Sequence, residues 1–217
     1  MTRTLHSIEE VEALGGYSVI LADPCWAYKQ GGRGVAENHY STMSTTQIAK
    51  MPVSRIAAKD SVLFLWGTWP NLFETAPVIA GWGYQFKTLG FLWVKHYEKS
   101  GKPFWGGGFW SRSNSEFCLL ATRGDVRRIS ASVHQLVETW DEQDDLVLRA
   151  PVGRHSAKPK EVRERIEKLM GDVSRIELFA RERTENWDAF GNDPQLGGSD
   201  VDLLPEKGAA VQGTAAR

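Results

Sequence analysis

The tetrapeptide Asp23-Pro24-Cys25-Trp26 follows directly on an apolar run from Tyr17 to Ala22. In an open α/β sheet, ligands bind beyond the carboxyl ends of the strands, so an acid, a stiff turn and a large aromatic ring lie where a substrate would be met. The exocyclic amine of adenine shows what such a set could do. Its lone pair is delocalised into the ring, which makes it a poor nucleophile. A carboxylate and a backbone carbonyl that accept its two N–H bonds favour pyramidalisation and stabilise the positive charge that develops on attack. Proline fixes φ and stiffens the loop that carries those oxygens. An aromatic ring can stack on the base, which must leave its duplex to enter a pocket. Taken alone, the tetrapeptide reads equally well as an Asp-Pro turn closed by a hydrophobic plug.

The elements around it read as alternating strands and helices. Tyr17 to Ala22 and Ser61 to Trp66 are continuously apolar, the pattern of strands covered on both faces. Thr88 to Val94, Glu116 to Ala121, a short stretch at Leu146 to Leu148, and Arg175 to Ala180 are further strand candidates. Thr45 to Lys50 reads as a short helix stopped before Pro52. Asn71 to Ala80 reads as a helix with Leu72, Ala76 and Ile79 on one face and a kink at Pro77. The clearest helix runs from Pro159 to Met170, with Val162, Ile166 and Leu169 as its stripe and Gly171 at its stop. This alternation predicts an α/β fold, a mainly parallel sheet with helices on both faces. Two glycine-rich loops, Tyr28 to Ser44 and His96 to Asn114, are long enough to be active-site lids. The expected domain covers residues 1–193, and 194–217 reads as a disordered tail, rich in Gly, Ala and charge without periodicity.

Composition narrows the function classes. The 217 residues suffice for one well-packed domain, and their 41% apolar and 24% charged content is ordinary for a soluble protein. No window has the ~18–20 consecutive apolar residues of a membrane span, and no basic-then-apolar leader opens the chain, so a cytoplasmic protein is expected. Two cysteines, Cys25 and Cys118, suit a reducing compartment and argue against a disulfide framework or a structural metal. A net charge of −1 excludes a globally basic nucleic-acid binder. Between Lys95 and Arg128, however, seven bases face three acids, while Glu138 to Asp145 holds five acids and no base. A local basic segment can track phosphates; two solvated loop faces are the plainer reading. Six of the nine tryptophans, at 26, 66, 69, 82, 105 and 110, lie near glycines. They are either core or base-stacking platforms, and composition does not separate the two.

Five elements in order carry a family resemblance over Tyr17 to Asn192. They are the strand ending in Asp23-Pro24-Cys25-Trp26; His39-Tyr40-Ser41-Thr42-Met43-Ser44; Phe91 to Lys95 with the loop Gly106 to Glu116; His155-Ser156-Ala157-Lys158-Pro159; and Ile176 to Arg181 followed by Gly191-Asn192. The chain resembles the permuted adenine-N6 methyltransferases, which include the catalytic subunit of the messenger-RNA adenosine methyltransferase and bacterial and phage DNA-modifying relatives. The resemblance implies a Rossmann-like methyltransferase fold, S-adenosylmethionine as cofactor, no metal, and Asp23, Pro24, Cys25 and Trp26 as the catalytic loop. The family usually has a second proline where this chain has Cys25. The backbone carbonyls survive that change, and the loop gives up some rigidity.

The same resemblance assigns further residues. Tyr28 and Tyr40 would belong to a first gate loop over the base. Trp110, Arg112, Asn114 and Glu116, in and after a second gate loop, are candidates for substrate or cofactor contact, with ordinary loop packing as the alternative. Lys158 would lie near the cofactor's methionine end, where a helix start and an ammonium both favour a carboxylate. Asp23, Glu177, Phe179, Arg181 and Asn192 would complete the cofactor site, Glu177 and Arg181 at the ribose and Asn192 at the nucleoside end. The expected activity is methyl transfer to adenine N6 in nucleic acid. DNA is favoured over RNA because the chain is small and carries no appended RNA-binding module. RNA as substrate, or a silent nucleic-acid-binding scaffold, are the alternatives. The chain could act alone, as a homodimer or with a partner subunit.

Overall fold

The structure, a computed structural model, describes residues 2–5, 7–27, 42–97, 102–108, 110–133, 147–151 and 158–191. In chain order the elements are β1 (Thr4–Leu5), α1 (Ile8–Ala13), β2 (Tyr17–Ala22), α2 (Thr45–Lys50), α3 (Val53–Ile56), β3 (Ala57–Gly67), a 3-10 helix (Trp69–Glu74), α4 (Thr75–Gly81), β4 (Gln85–His96), β5 (Ser115–Arg123), β6 (Val147–Pro151), α5 (Glu161–Met170), β7 (Arg175–Leu178) and β8 (Asp188–Phe190). The strands form one sheet in the order β1-β8-β7-β2-β3-β5-β4-β6. Every neighbouring pair is parallel except those made by β5, which runs against β3 and β4. The expected α/β architecture is thus the observed one.

The continuous apolar runs are explained by burial on both faces of the sheet. On one face Ile20, Ala22, Leu63 and Leu65 pack with Val11 of α1, Ile48 of α2, Val53 and Ile56 of α3, and Val78 and Ile79 of α4. On the other, Val19, Leu21, Val62, Phe64 and Trp66 pack with Val162, Ile166 and Met170 of α5. Each such side chain contributes ~1.5–3 kcal/mol on burial. The strands therefore cannot slip register without exchanging two apolar layers at once.

Several expected boundaries move, each for a local reason. β3 starts earlier than its apolar run, where Ala57 pairs with Tyr17 of β2, and β4 is longer at both ends, where Gln85 and Phe86 pair with β5 and Lys95 and His96 with β6. The segment expected to kink at Pro77 instead divides before it. A 3-10 helix ends at Glu74, and α4 begins at Thr75, so Pro77 falls in the first helical turn, where its missing N–H leaves no bond unmade. The division resets the helical phase: Thr75, Val78 and Ile79 are buried, and Ala76 is exposed. β7 stops at Leu178, two residues short of the expected Ala180, because Phe179 takes a left-handed φ of 61°. α5 begins at Glu161 and ends as expected before Gly171, whose φ is +78°. Residues 194–217 and the acidic stretch at 138–145 lie outside the described residues. No helix among the described residues is long and apolar enough to cross a membrane.

Sheet order fixes where chemistry can occur. From central β2 the chain moves to β3 on one side and returns late at β7 on the other. The carboxyl end of β2 is therefore the switch point of the sheet, and Asp23 follows it immediately. Because β5 is reversed, its first residues lie beside the last residues of β3 and β4, with Trp93 opposite Glu116 and Gly67 opposite Phe117.

Candidate active site

The turn after β2 is held by three backbone hydrogen bonds. The Trp26 N–H donates to the Pro24 carbonyl at 2.8 Å, Met43 N–H to Cys25 carbonyl at 2.8 Å, and Ala27 N–H to Met43 carbonyl at 3.0 Å. Met43 is fixed in turn because Ser44 caps α2 through a reciprocal box with Gln47. The Trp26 ring is only 6% exposed, and its indole N–H donates to the Trp66 carbonyl at 3.1 Å. The ring thus backs the turn from the core and leaves little open face.

The Trp26-to-Pro24 bond closes a three-residue turn centred on Cys25. Cys25 is not among the described residues with positive φ, so this is an inverse γ-turn, whose central φ is near −75°. Proline accepts that φ, and among the described backbone bonds the Cys25 N–H makes none. Cys25→Pro is therefore expected to stabilise the protein by about 0.5–1 kcal/mol, through the unfolded chain, and to preserve or raise activity. Thermal melting and a methyl-transfer assay on the variant check both parts.

Burial and the neighbouring Asp23 charge push the Cys25 thiol above its ordinary range. The thiol is neutral at neutral pH, the wrong state for a nucleophile. Alkylation of Cys25 by iodoacetamide is expected to be slow at pH 7 and to accelerate only well above pH 9, and Cys25→Ser should remain active. Loss of all activity in folded Cys25→Ser would reject this assignment.

A line of alternating charges crosses the carboxyl end of the sheet. Lys158, just before α5, places Nζ 2.7 Å from Asp23 Oδ2 and 3.3 Å from Glu116 Oε2. Glu116 Oε1 in turn accepts from Lys95 at the end of β4. All four side chains are largely buried. Burial works against the Lys158 cation, but Asp23 and Glu116 outweigh it and hold its pKa above the ordinary lysine value. Burial also works against the Glu116 anion, but Lys158 and Lys95 outweigh it and hold its carboxyl below 4.5. The Glu116 contribution to stability is therefore complete above pH 4.5 and is lost as the pH falls through its lowered value. The Lys158 contribution is complete below pH 10.5 and is lost as the pH rises through its raised value. The melting-temperature gap between wild type and Glu116→Gln should be constant from about pH 6 to 9 and close below pH 4.5.

Next to this line, the two oxygens of Glu177 on β7 accept from the Arg163 guanidinium of α5, Nε at 2.7 Å and Nη2 at 2.9 Å. Burial pushes the Glu177 carboxyl up, against the pull of Arg163. Glu177 is thus already engaged in a two-pronged pair inside the protein. Arg163 was not singled out in the sequence, although its spacing was a signal: it stands three residues before Ile166 and seven before Met170, on the buried face of α5. Lys95 belongs in the sequence to the local basic segment and the Phe91 to Lys95 motif; its pairing with Glu116 arises because β5 runs back along β4.

The remaining sequence candidates fall as follows. Phe179 is buried directly after β7, and Arg181 is partly exposed beyond it. Asn114 accepts the Lys95 N–H through its carbonyl at 2.7 Å, which ties the loop before β5 to β4. Arg112 lies over the Trp105 ring, 4.6 Å from its centroid, and Trp110 is fully exposed. Of the six tryptophans near glycines, those at 26, 66 and 82 are core, and those at 69, 105 and 110 are exposed. Tyr28, Tyr40, the 39–41 part of the first gate motif, His155 to Ala157, and Asn192 lie outside the described residues.

The chain is similar to known proteins over most of its length. The chain is 29% identical over 196 residues to type II methyltransferase M.MunI of a Mycoplasma species, covering 81% of this chain and 76% of that protein. Over 190 residues it is 28% identical to the Danio rerio N(6)-adenosine-methyltransferase subunit METTL3 and 27% identical to the human N(6)-adenosine-methyltransferase catalytic subunit METTL3, covering 84% of this chain and 29% of each relative. The profile of the MT-A70 family matches residues 17–193, from the first residue of β2 to just past β8. A match over that span, on a sheet that delivers Asp23 to its switch point, means that the chain belongs to the MT-A70 family and is a methyltransferase whose chemistry is that of adenine N6.

Proposed function

We propose that the chain transfers a methyl group from S-adenosylmethionine to adenine N6 in DNA, with Asp23 as the group that receives the amine. The observation that carries this reading is the Asp23 carboxylate at the end of β2, fixed through Oδ2 by Lys158 at 2.7 Å. Among the described residues Oδ1 has no hydrogen-bond partner, so it can accept one amine hydrogen. The Pro24 carbonyl takes the Trp26 N–H with one lone pair and has a second for the other amine hydrogen. Both acceptors are set before substrate arrives, so they favour the pyramidal, positively charged nitrogen over the planar one. Trp26 holds the turn from below and keeps those oxygens from relaxing.

The residues suit the cofactor. S-adenosylmethionine supplies, when bound, an electrophilic methyl group on a sulfonium centre. Lys158 offers an ammonium to a carboxylate, and Asp23 an anion to a cationic or amine group. The Trp66 indole N–H, whose ring lies 5.5 Å from Lys158 Nζ, is buried and has no hydrogen-bond partner among the described residues. Such a donor is open to a ligand acceptor. Phe179, Arg181 and Asn192 would border the adenosine side. Glu177, paired with Arg163, would act there by holding α5 against β7. Tyr28, Tyr40, Trp110, Arg112 and Asn114 would border the base and its neighbours.

DNA is favoured over RNA by the likeness to the type II methyltransferase, 29% identical over 81% of this chain. Free thiols at Cys25 and Cys118 suit a reducing, cytoplasmic setting. The test is transfer of labelled methyl to single-stranded DNA, duplex DNA and RNA, followed by nucleoside analysis. N6-methyladenine from DNA is the expected product. Methylated RNA alone would move the substrate, and cofactor binding without any transfer would favour the scaffold reading.

A further inference from the structure

The second glycine-rich loop is exposed, yet its backbone is pinned. Phe104 N–H donates to the Lys95 carbonyl at 3.0 Å, Tyr97 N–H to the Lys102 carbonyl at 3.0 Å, and Lys95 N–H to the Asn114 carbonyl at 2.7 Å. The Tyr97 and Phe104 rings meet at 5.2 Å, and the Tyr97 hydroxyl accepts the Trp105 N–H at 3.3 Å. Gly106 and Gly108 press directly on the opposite arm. A Cβ at either would lie 1.8 Å from the Ser113 carbonyl oxygen or 1.9 Å from that of Ser111. At these two glycines the arms therefore meet backbone to backbone.

Just before Gly106 the ribbon holds Trp105, 66% exposed, with the Arg112 guanidinium 4.6 Å from the ring centroid. This indole is fixed through its backbone N–H, which donates to the Tyr97 hydroxyl, and is covered on one side by a cation. Among the described residues, most of the side chain is left exposed. A ring so held is suited to one occupant above others, a nucleobase: every base has a π face, and the adjacent guanidinium suits the phosphate that accompanies it. The ribbon is rooted on the ends of β4 and β5, the same ends that carry Lys95 and Glu116 into the charge line reaching Asp23.

We propose that Trp105 and Arg112 form a stacking platform for an unpaired base neighbouring the target adenine, so that the enzyme grips a strand through a second base as well as the one it methylates. This rests on the nucleic-acid reading above. The platform requires an unstacked neighbour, so it favours single-stranded or locally opened substrate.

The experiment uses the full chain and single-stranded oligonucleotides, DNA and RNA, with one target adenine and 2-aminopurine or an abasic residue at each neighbouring position in turn. Binding by wild type should quench 2-aminopurine at one neighbouring position, and an abasic residue there should weaken binding by about 5- to 100-fold. Trp105→Ala should remove the quenching, weaken binding to the intact oligonucleotide by a similar factor and lose nothing further with the abasic one, while Trp105→Phe retains most of the effect. Melting temperature and S-adenosylmethionine affinity should be unchanged in both variants. If Trp105→Ala binds and quenches as wild type does, the platform is rejected and the nucleic-acid reading stands. If wild type binds none of these oligonucleotides but methylates duplex DNA, the platform is rejected and the nucleic-acid reading stands; if it methylates neither them nor duplex DNA, both fall together.

Discussion

Asp23→Asn is expected to lower kcat for methyl transfer by at least about 10²- to 10³-fold while leaving cofactor affinity within a few-fold of wild type. The carboxamide keeps the shape of the side chain but loses the charge that stabilises a cationic nitrogen, and it can turn an N–H toward the amine it should accept from. The loss belongs in kcat rather than KM because the interaction strengthens only as charge develops. Lys158 keeps its second partner, Glu116 at 3.3 Å, so the fold should survive. Asp23→Ala removes the acceptor altogether and should leave no measurable transfer. Single-turnover transfer of a labelled methyl group, with calorimetric titration of the cofactor, separates the two effects. Transfer by the Asp23→Asn variant within about ten-fold of wild type would reject Asp23 as the acceptor.

The largest expected effect on stability comes from Arg163→Ala. Its guanidinium satisfies both oxygens of Glu177 across the α5–β7 contact, and both side chains are at most one-tenth exposed. Removing one member of such a pair strands a buried charge, which costs about 3–5 kcal/mol. For a chain of this length that is a fall of roughly 6–20 °C in melting temperature. Adding Glu177→Gln to Arg163→Met should recover part of it, because no charge is then left alone. Thermal unfolding of the single and double variants measures the coupling directly. A loss below about 1 kcal/mol for Arg163→Ala would mean that water reaches the pair.

How much of this could be seen in the residues alone follows from the range of the forces involved. β2, β3 and the Asp23 turn were legible because burial on both faces leaves an unbroken apolar run that a single acid ends. α5 was legible from its stripe and from Gly171. β1, α1, α3 and β8 were not: they are short, and β1 and β8 exist because Thr4 pairs with Ala189 and Arg3 binds Asp188 at 2.7 Å, contacts across nearly the whole chain. The site divided similarly. Asp23, Lys158 and Glu116 were each named, but their mutual contacts were not, since they come from three separate elements. Glu177 shows the limit most clearly. Its assignment came from family likeness, whereas its partner Arg163 depends on the helical phase of α5 meeting β7. Trp105 stood open between core and stacking platform, because an aromatic beside glycines looks the same in sequence whether it fills a core or stands in water.

The reversed direction of β5 has a further consequence for how this enzyme can change. The loop that follows β4 and the one that precedes β5 are the same segment, and both its anchors lie at the reacting edge of the sheet. Residues can be added or removed between those anchors without altering any strand pairing, and doubling a flexible loop costs only about 0.6 kcal/mol in closure entropy. Length can therefore change in this segment while the sheet and its acid stay fixed, which suits a scaffold shared by relatives of very different lengths.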